Sequence, residues 1–174
     1  MSALLLGNLL SMLGCTLMVA GGFIKKKSRI LFVQSFQFAL QSSANLILGA
    51  INGFVCGIVG IVRNIVFSRV KSSVPLKLFF IVLQFALSVG ALKNGAIEWL
   101  PIISGALFTW FLDTKNEATL KKAIIVSQLM WLVYDASFKN YVGACFDFMT
   151  MCSNLIGIYM LNRDRKKESA ACEE

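Results

Sequence analysis

Apolar residues dominate seven segments of the chain, and short polar or charged stretches separate these segments. An α-helix needs about 17–25 predominantly apolar residues to cross the hydrocarbon core of a bilayer, and several segments lie near the lower limit. The pattern predicts seven membrane-spanning helices, at residues 3–23, 30–49, 54–70, 76–92, 96–112, 123–138 and 141–161. The expected fold is therefore an all-α integral membrane protein.

The composition supports this class and argues against several others. Hydrophobic residues make up 57% of the chain and charged residues 15%, with a mean hydropathy of +0.72. A soluble domain could not cover so much apolar surface. The five cysteines form no CxxC pair and the chain has no histidine, so neither a disulfide framework nor a metal site is expected. No phosphate-binding loop or nucleophile–base set is present in the sequence, so we expect no enzyme and no cofactor.

The positive charges predict the orientation of the spans. The start of the chain resembles a signal peptide, but its basic cluster follows the apolar run, which favours a retained first span with an outside N-terminus. Basic residues then concentrate in the cytoplasmic segments, as the positive-inside rule requires, and the C-terminus is cytoplasmic. These residues are Lys25, Lys26, Lys27, Arg29, Arg69, Lys71, Lys77, Lys115, Lys121, Lys122, Arg163, Arg165, Lys166 and Lys167. The net charge of +8 thus reflects topology in a lipid bilayer, and no nucleic acid is implied.

An internal repeat emerges when the chain is shifted by 90 residues. Asn45 then matches Asp135, Gly53 matches Gly143 at a predicted turn, and Asn64 matches Asn154. Three spans, one linking span and three further spans make this a parallel repeat about an axis along the membrane normal. We therefore predict a first three-helix bundle, a linking helix, a second three-helix bundle and a cytoplasmic basic tail, at residues 1–70, 71–93, 94–162 and 163–174.

Asn64 and Asn154 are the first candidates for a binding site. Each lies eleven residues past its glycine, or about 16 Å along a helix, which is near the membrane midplane. Two amides at one depth in equivalent helices would face each other across the axis, where transporters place their substrate sites. The alternative is that each amide bonds a neighbouring helix and holds the bundle together.

A second candidate is a stripe of amides in the second span. Gln34, Gln37, Gln41 and Asn45 follow at steps of three and four residues, so they share one face of a helix. Because amides facing lipid would be costly, this face must meet protein or water. The stripe is either a seam between helices or the wall of a translocation path. We assign Gln41 and Asn45 to a path and Gln34 to a seam.

The remaining candidates carry charge or an aromatic ring. Arg63 lies within a span, where an unpaired charge costs about 2.5–3.5 kcal/mol. Its side chain either extends toward the cytoplasmic headgroups or pairs with an acid. Asp147 is the preferred partner and Asp135 the second choice, and such a pair would act as a gate or charge latch. These acids could also carry protons. Trp131 either stacks on a ring-bearing solute or packs between helices.

Two stretches carry a resemblance to a known family, EWLPIISGALFTWF at 98–111 and MTMCSNLIGIYM at 149–160. Over most of its length the chain resembles the small bacterial inner-membrane YgjV family, which is thought to belong with the PQ-loop and SWEET transporters. The resemblance implies a SWEET-like arrangement of three, one and three helices. The chain departs from the SWEET pattern in two ways: no Pro-Gln dipeptide occurs, and the aromatic that SWEETs place sixteen residues before the pocket asparagine would fall at Leu48 and Phe138, neither of which is a tryptophan.

These observations favour a secondary transporter or facilitator of a small polar, sugar-like solute across the inner membrane. Transport would proceed by alternating access between the two helix triplets. A nucleoside- or vitamin-type solute is the alternative within transport. A receptor or scaffold without transport activity is the alternative outside it. The fold also permits a homo-oligomer.

Overall fold

The computed structural model describes residues 2–21, 27–90, 92, 95–112, 114 and 117–171. Within these residues the chain forms seven α-helices and one short 3-10 helix, Gly95–Glu98, and no strand. The helices are α1 (Ala3–Gly21), α2 (Lys27–Ile47), α3 (Ile51–Arg69), α4 (Val74–Val89), α5 (Trp99–Phe111), α6 (Glu117–Ser137) and α7 (Tyr141–Ala171). Each predicted span thus has a helical counterpart. The predicted basic tail continues α7 as helix to Ala171.

The described helices differ in how clearly they could span a bilayer. Ile51–Arg69 and Tyr141–Arg163 are long and apolar enough by length and composition. Ala3–Leu17, Val74–Val89 and Gly95–Phe111 are apolar but shorter. Burial follows the pattern of a helical membrane protein. Buried polar side chains outnumber buried apolar ones among the described residues, while Phe32 and Tyr159 are 65% and 69% exposed.

The turns after α2 and α6 are built alike. Gly49 and Lys139 adopt left-handed backbone conformations, with φ of 80° and 60°. The next amides, of Ala50 and Asn140, donate to the carbonyls of Asn45 and Asp135 at 2.8 and 2.9 Å. The amides of Gly49 and Lys139 likewise donate to Leu46 and Ala136, both at 3.2 Å. Each turn is therefore a Schellman motif, and every position in one corresponds to the position 90 residues away in the other.

The predicted turn glycines lie just beyond these turns. Gly53 and Gly143 are the third residues of α3 and α7, so they belong to helix N-termini and not to the turns themselves. The prediction was wrong on this point: the residues with positive φ are Gly49 and Lys139, and the predicted glycines each follow four residues later. In the second turn a lysine takes that conformation instead.

The helix contacts form a closed circuit. Helix α2 packs between α1 and α3, and α6 packs between α5 and α7. The two groups meet through α1 against α7 and through α3 against α5, while α4 packs on α3 and α5. A small apolar cluster of Val59, Phe67 and Phe80 holds α4 in place. The polar ends of α2, α3, α6 and α7 are thereby brought together.

Candidate functional site

A buried polar cluster joins the two Schellman turns. We call it the turn cluster and define it as Gln41, Asn45, Tyr134, Asp135 and Asn140. The side-chain amides of Gln41 and Asn140 both donate to Oδ2 of Asp135, each at 3.1 Å. Asn140 also lies 3.4 Å from Oδ1 of Asn45. Two residues of the predicted amide stripe, Gln41 and Asn45, therefore do meet the predicted acid Asp135.

Two glycines make room for this cluster. A Cβ added at Gly53 would lie 2.7 Å from Nδ2 of Asn45 and 2.8 Å from Cε1 of Tyr134. A Cβ added at Gly143 would collide with Asp135 and Asn140. The glycine at each helix start thus allows the matched side chains, Asn45 and Asp135, to approach α3 and α7.

Tyr134 is the largest fully buried side chain of the cluster. Its hydroxyl accepts a 2.7 Å hydrogen bond from the backbone amide of Gly53. Trp131 packs edge-on against Tyr134, with the ring centroids 5.6 Å apart and the planes at 89°. In this conformation Trp131 therefore supports the cluster through Tyr134.

The cluster contains acceptor atoms that lack donors. Oε1 of Gln41 and Oδ1 of Asp135 are buried and have no hydrogen-bond partner among the described residues, and Oδ2 of Asp147 is in the same state. Leaving a buried polar atom unpaired costs about 1–3 kcal/mol. Such atoms call for an explanation, and a bound donor is one.

Comparison with known protein families identifies the family of this chain. A family model described as a bacterial inner membrane protein, Imp-YgjV, matches residues 5–165. The chain belongs to this family. The inner membrane location and the resemblance to the YgjV family are thus confirmed. Neither curated proteins nor solved structures gave a match.

A second polar group in this YgjV-family protein surrounds Arg63, which is only 3% exposed. Its guanidinium donates to Oδ1 of Asn64 at 3.1 and 3.3 Å and to Oγ1 of Thr109 at 3.0 Å. It also lies over the ring of Phe108, 4.9 Å from the centroid. We call Arg63, Asn64, Phe108 and Thr109 the arginine cluster.

Arg63 and Asp147 do not form the predicted ion pair. The contacts of Arg63 are with neutral groups on α3 and α5, and Oδ2 of Asp147 has no partner in the described part of the chain. The reason is the helix arrangement, since α3 packs on α2, α4 and α5, whereas α7 packs on α6 and α1. Burial of Arg63 among these helices also contradicts the alternative that it extends to the headgroups.

Asn64 and Asn154 occupy different surroundings. Asn64 is fully buried and holds the guanidinium of Arg63. Asn154 is half-buried, and its amide donates to the carbonyl of Thr150 one turn earlier in its own helix. Their part in solute binding stays a prediction. Of the other stripe residues, Gln37 is half-buried, and the side chain of Gln34 lies outside the described residues.

Two polar residues with central contacts, Asn140 and Gln84, were not singled out from the sequence. Asn140 completes the turn cluster, but its position matches Ala50 in the repeat, so the shift gave no signal for it. Gln84 of α4 donates to the carbonyls of Pro101 and Ile102 at 3.1 and 3.3 Å, beside the bare backbone of Gly105. Its position in the middle of an apolar span was a usable signal. The contact between the Tyr134 hydroxyl and the amide of Gly53 could be found only from the tertiary structure.

Metal binding has little support in the described residues. No group of three His, Cys, Asp or Glu side chains there is arranged to hold a metal ion. The chemistry available to the turn cluster is hydrogen bonding and proton transfer, because it consists of amides, a phenol and a carboxyl group.

Proposed function

We propose that this YgjV-family protein is a secondary transporter or facilitator of a small polar, sugar-like solute across the inner membrane. The observation that carries the proposal is the pair of donor-less buried acceptors in the turn cluster, Oε1 of Gln41 and Oδ1 of Asp135. Solute hydroxyl groups are donors that would satisfy both atoms. A purely structural seam would gain stability from having its acceptors paired, so the unpaired atoms favour a binding role.

The moving parts in this proposal are two three-helix halves, α1–α3 and α5–α7, joined by α4. The matched Schellman turns support such a repeat. So do the two junctions between the halves. Asn52 donates to the carbonyl of Glu98 at 2.8 Å, where α3 meets the start of α5. The amide of Val142 donates to Oδ1 of Asn8 at 3.1 Å, where α7 meets α1.

These two junction contacts correspond to each other under the repeat. Val142 lies 90 residues after Asn52, and Glu98 lies 90 residues after Asn8. A contact and its counterpart related in this way are what a two-fold axis between the halves would produce. The shift of 90 residues therefore also relates a residue of the first span, Asn8, to one at the start of the fifth, Glu98.

The turn cluster lies at the interface between these halves. Gln41 and Asn45 belong to α2, and Tyr134 and Asp135 belong to α6. The hydrogen bonds between them, together with the bond from Gly53 to Tyr134, would close one side of a path between the halves. With the N-terminus outside, this closed side faces outward. Rocking of the halves would break these bonds and admit solute.

Uptake into proteoliposomes tests the function. Purified protein would be reconstituted and screened with labelled sugars, polyols, nucleosides and vitamins, so that both solute classes are represented. We expect uptake of a sugar-like solute, and its marked reduction by Gln41→Leu. The matched control is Ser43→Ala, two residues further on, where an exposed hydroxyl bonds only to its own helix at Ala39.

The outcomes separate the candidate functions. Uptake of nucleosides or vitamins alone would move the assignment to the other solute class. Folded protein that neither takes up nor is thermally stabilised by any solute of the panel would contradict transport and favour a receptor or scaffold. Equal uptake by the wild type and Gln41→Leu would remove the turn cluster from the path.

A further inference from the structure

A second carboxyl group, that of Asp147, lies close to Asp135 of the turn cluster. Gly143 of α7 lies directly against Asp135 of α6. Asp147 follows four residues later on the same face of α7, which places its Cβ about 6 Å from the position of Gly143. Asp135 and Asp147 are thus near enough for their charges to influence each other, and Cys15 of α1 lies near both. We call Asp135 and Asp147 the acid pair.

The acid pair has no cationic partner among the described residues. The contacts of Asp135 are the neutral amides of Gln41 and Asn140, and one oxygen of each acid has no donor at all. Arg63 is held elsewhere, in the arginine cluster. Lys139 lies in the neighbouring turn, but its side chain is exposed and forms no ion pair with either acid.

The other titratable groups around the pair are acids as well. Cys15 faces it from α1, Cys145 lies on α7, and Tyr134 lies beside Asp135 on α6. Glu98 is buried near Tyr134 at the start of α5. From α2 the facing group is the amide of Gln41, which does not titrate. Each of these groups is neutral or negative, so none can balance a carboxylate.

Two neighbouring carboxylates, each with a buried oxygen that has no donor, would be electrostatically unfavourable without a cation. A bound proton removes that cost at one of them, and it needs no cavity, unlike a metal ion or a charged solute. It also turns one acceptor oxygen into a donor, which reduces the number of unpaired acceptors. Acidic side chains within membrane spans are recurrent proton carriers for the same reasons.

We propose that the acid pair is a proton-binding site, and that its proton is the coupling ion of the transport cycle. In the closed arrangement at least one carboxyl group is protonated. When the halves separate and water enters, the carboxyl O–H bond breaks and the proton passes to water, leaving a carboxylate. The coupling step rests on the proposed transport function, whereas the bound proton does not.

The two halves differ at the position of the proton-binding carboxyl group. Asn45 occupies the position in the first half that Asp135 occupies in the second, and each packs against a helix-start glycine. The first half therefore shows that an uncharged amide fits this site. Asp135→Asn reproduces this amide in the second half, so it removes the proton site without changing side-chain size.

Infrared spectroscopy of the reconstituted protein tests for the bound proton directly. We expect a carboxylic acid carbonyl band at neutral pH that disappears on raising the pH. Asp135→Asn and Asp147→Asn should each remove or shift this band. Asp164→Asn, in the predicted cytoplasmic tail, should leave it unchanged. Absence of the band from the wild type, or its persistence in both variants, would overturn the proposal.

A second measurement tests the coupling. An imposed pH gradient across the proteoliposomes, followed with an entrapped pH-sensitive dye, should stimulate uptake of the solute identified in the screen. The stimulation should be lost in Asp147→Asn and kept in Asp164→Asn. Uptake at the same rate with and without the pH gradient would contradict proton coupling, while the proposal of transport would stand. If no solute is transported at all, the proposed function fails, and the infrared bands still decide whether the acid pair binds a proton.

Discussion

The backbone amide of Gly53 donates a 2.7 Å hydrogen bond to the hydroxyl of Tyr134, linking α3 to α6. Gly53 is the third residue of its helix, so its amide has no carbonyl acceptor within the helix. The matching amide of Gly143 is satisfied locally, by Oδ1 of Asn140 at 3.2 Å. The amide at each helix start thus finds an acceptor outside its helix, but the acceptors differ. The amide of Gly53 links α3 to α6, whereas the amide of Gly143 bonds to a residue of the adjacent turn.

Replacing Tyr134 with phenylalanine tests this contact. The variant keeps the ring and removes the acceptor, so the buried amide of Gly53 is left unpaired. We expect a loss of about 1–3 kcal/mol in stability, measured by unfolding in detergent. Tyr141→Phe is the matched control, because Tyr141 is 60% exposed and should lose little. Equal effects in the two variants would contradict a stabilising role for the Tyr134 hydroxyl.

The helix-start glycines give a second prediction. Gly53→Ala would place a methyl group within 2.8 Å of both Asn45 and Tyr134, and Gly143→Ala would collide with Asp135. Such overpacking costs about 1–3 kcal/mol, which melting temperatures in detergent should detect. Gly90→Ala is the control, since the nearest atom to its added Cβ is the carbonyl oxygen of Leu87 at 4.0 Å. Equal tolerance of all three variants would show that the turn cluster is loosely packed.

The correspondence between the two turn regions was predictable because it rests on residues whose chemistry is visible in sequence. Asn45 and Asp135 are unusual within apolar spans, so a shift of 90 residues aligned them, and the two glycines with them. The geometry of the turns was not predictable in the same way. Lys139 adopts a left-handed conformation that glycine ordinarily supplies, so the turn signal was read at Gly143 instead.

Asn64 and Asn154 should differ in their effect despite their matching positions. Asn64→Ala removes an acceptor that receives two hydrogen bonds from a buried guanidinium, whereas Asn154→Ala removes a bond within its own helix. Hydrogen bonds to charged groups contribute about 1.5–3 kcal/mol, so Asn64→Ala should be the more destabilising in detergent. Equal losses would indicate that Asn154 makes comparable contacts in the membrane.

The topology is testable with reporter fusions. The charge pattern predicts seven spans with the N-terminus outside and the C-terminus cytoplasmic. A cytoplasm-only reporter fused after Lys166 should therefore be active, and a periplasm-only reporter there should be silent. An insertion beside Lys139, in the turn between α6 and α7, should give the reverse pattern. Activity of the periplasmic reporter after Lys166 would invert the orientation.

The partner of Arg63 is where sequence reasoning failed. A charge within a span suggests an acid partner, and Asp147 lay at a suitable depth along its helix. Depth does not specify which helices are neighbours, however, and α3 packs against α5. Thr109 and Phe108 gave no signal of their own, because a threonine and a phenylalanine are ordinary residues in an apolar span.

A double-mutant cycle on Arg63 and Asp147 tests whether Arg63 pairs with Asp147 or is held by the neutral groups of α5. If the residues formed a buried ion pair, removing one partner would leave the other charge exposed to the apolar interior, and the double variant would lose less than the sum. Because the structure gives Arg63 neutral partners on α5, we expect the losses in Arg63→Gln and Asp147→Asn to add within about 0.5 kcal/mol. Arg63→Gln with Thr109→Val is the positive control, since these side chains share a 3.0 Å hydrogen bond and should couple. Strong coupling of Arg63 to Asp147 would mean that the bundle repacks in the membrane to bring α3 and α7 together.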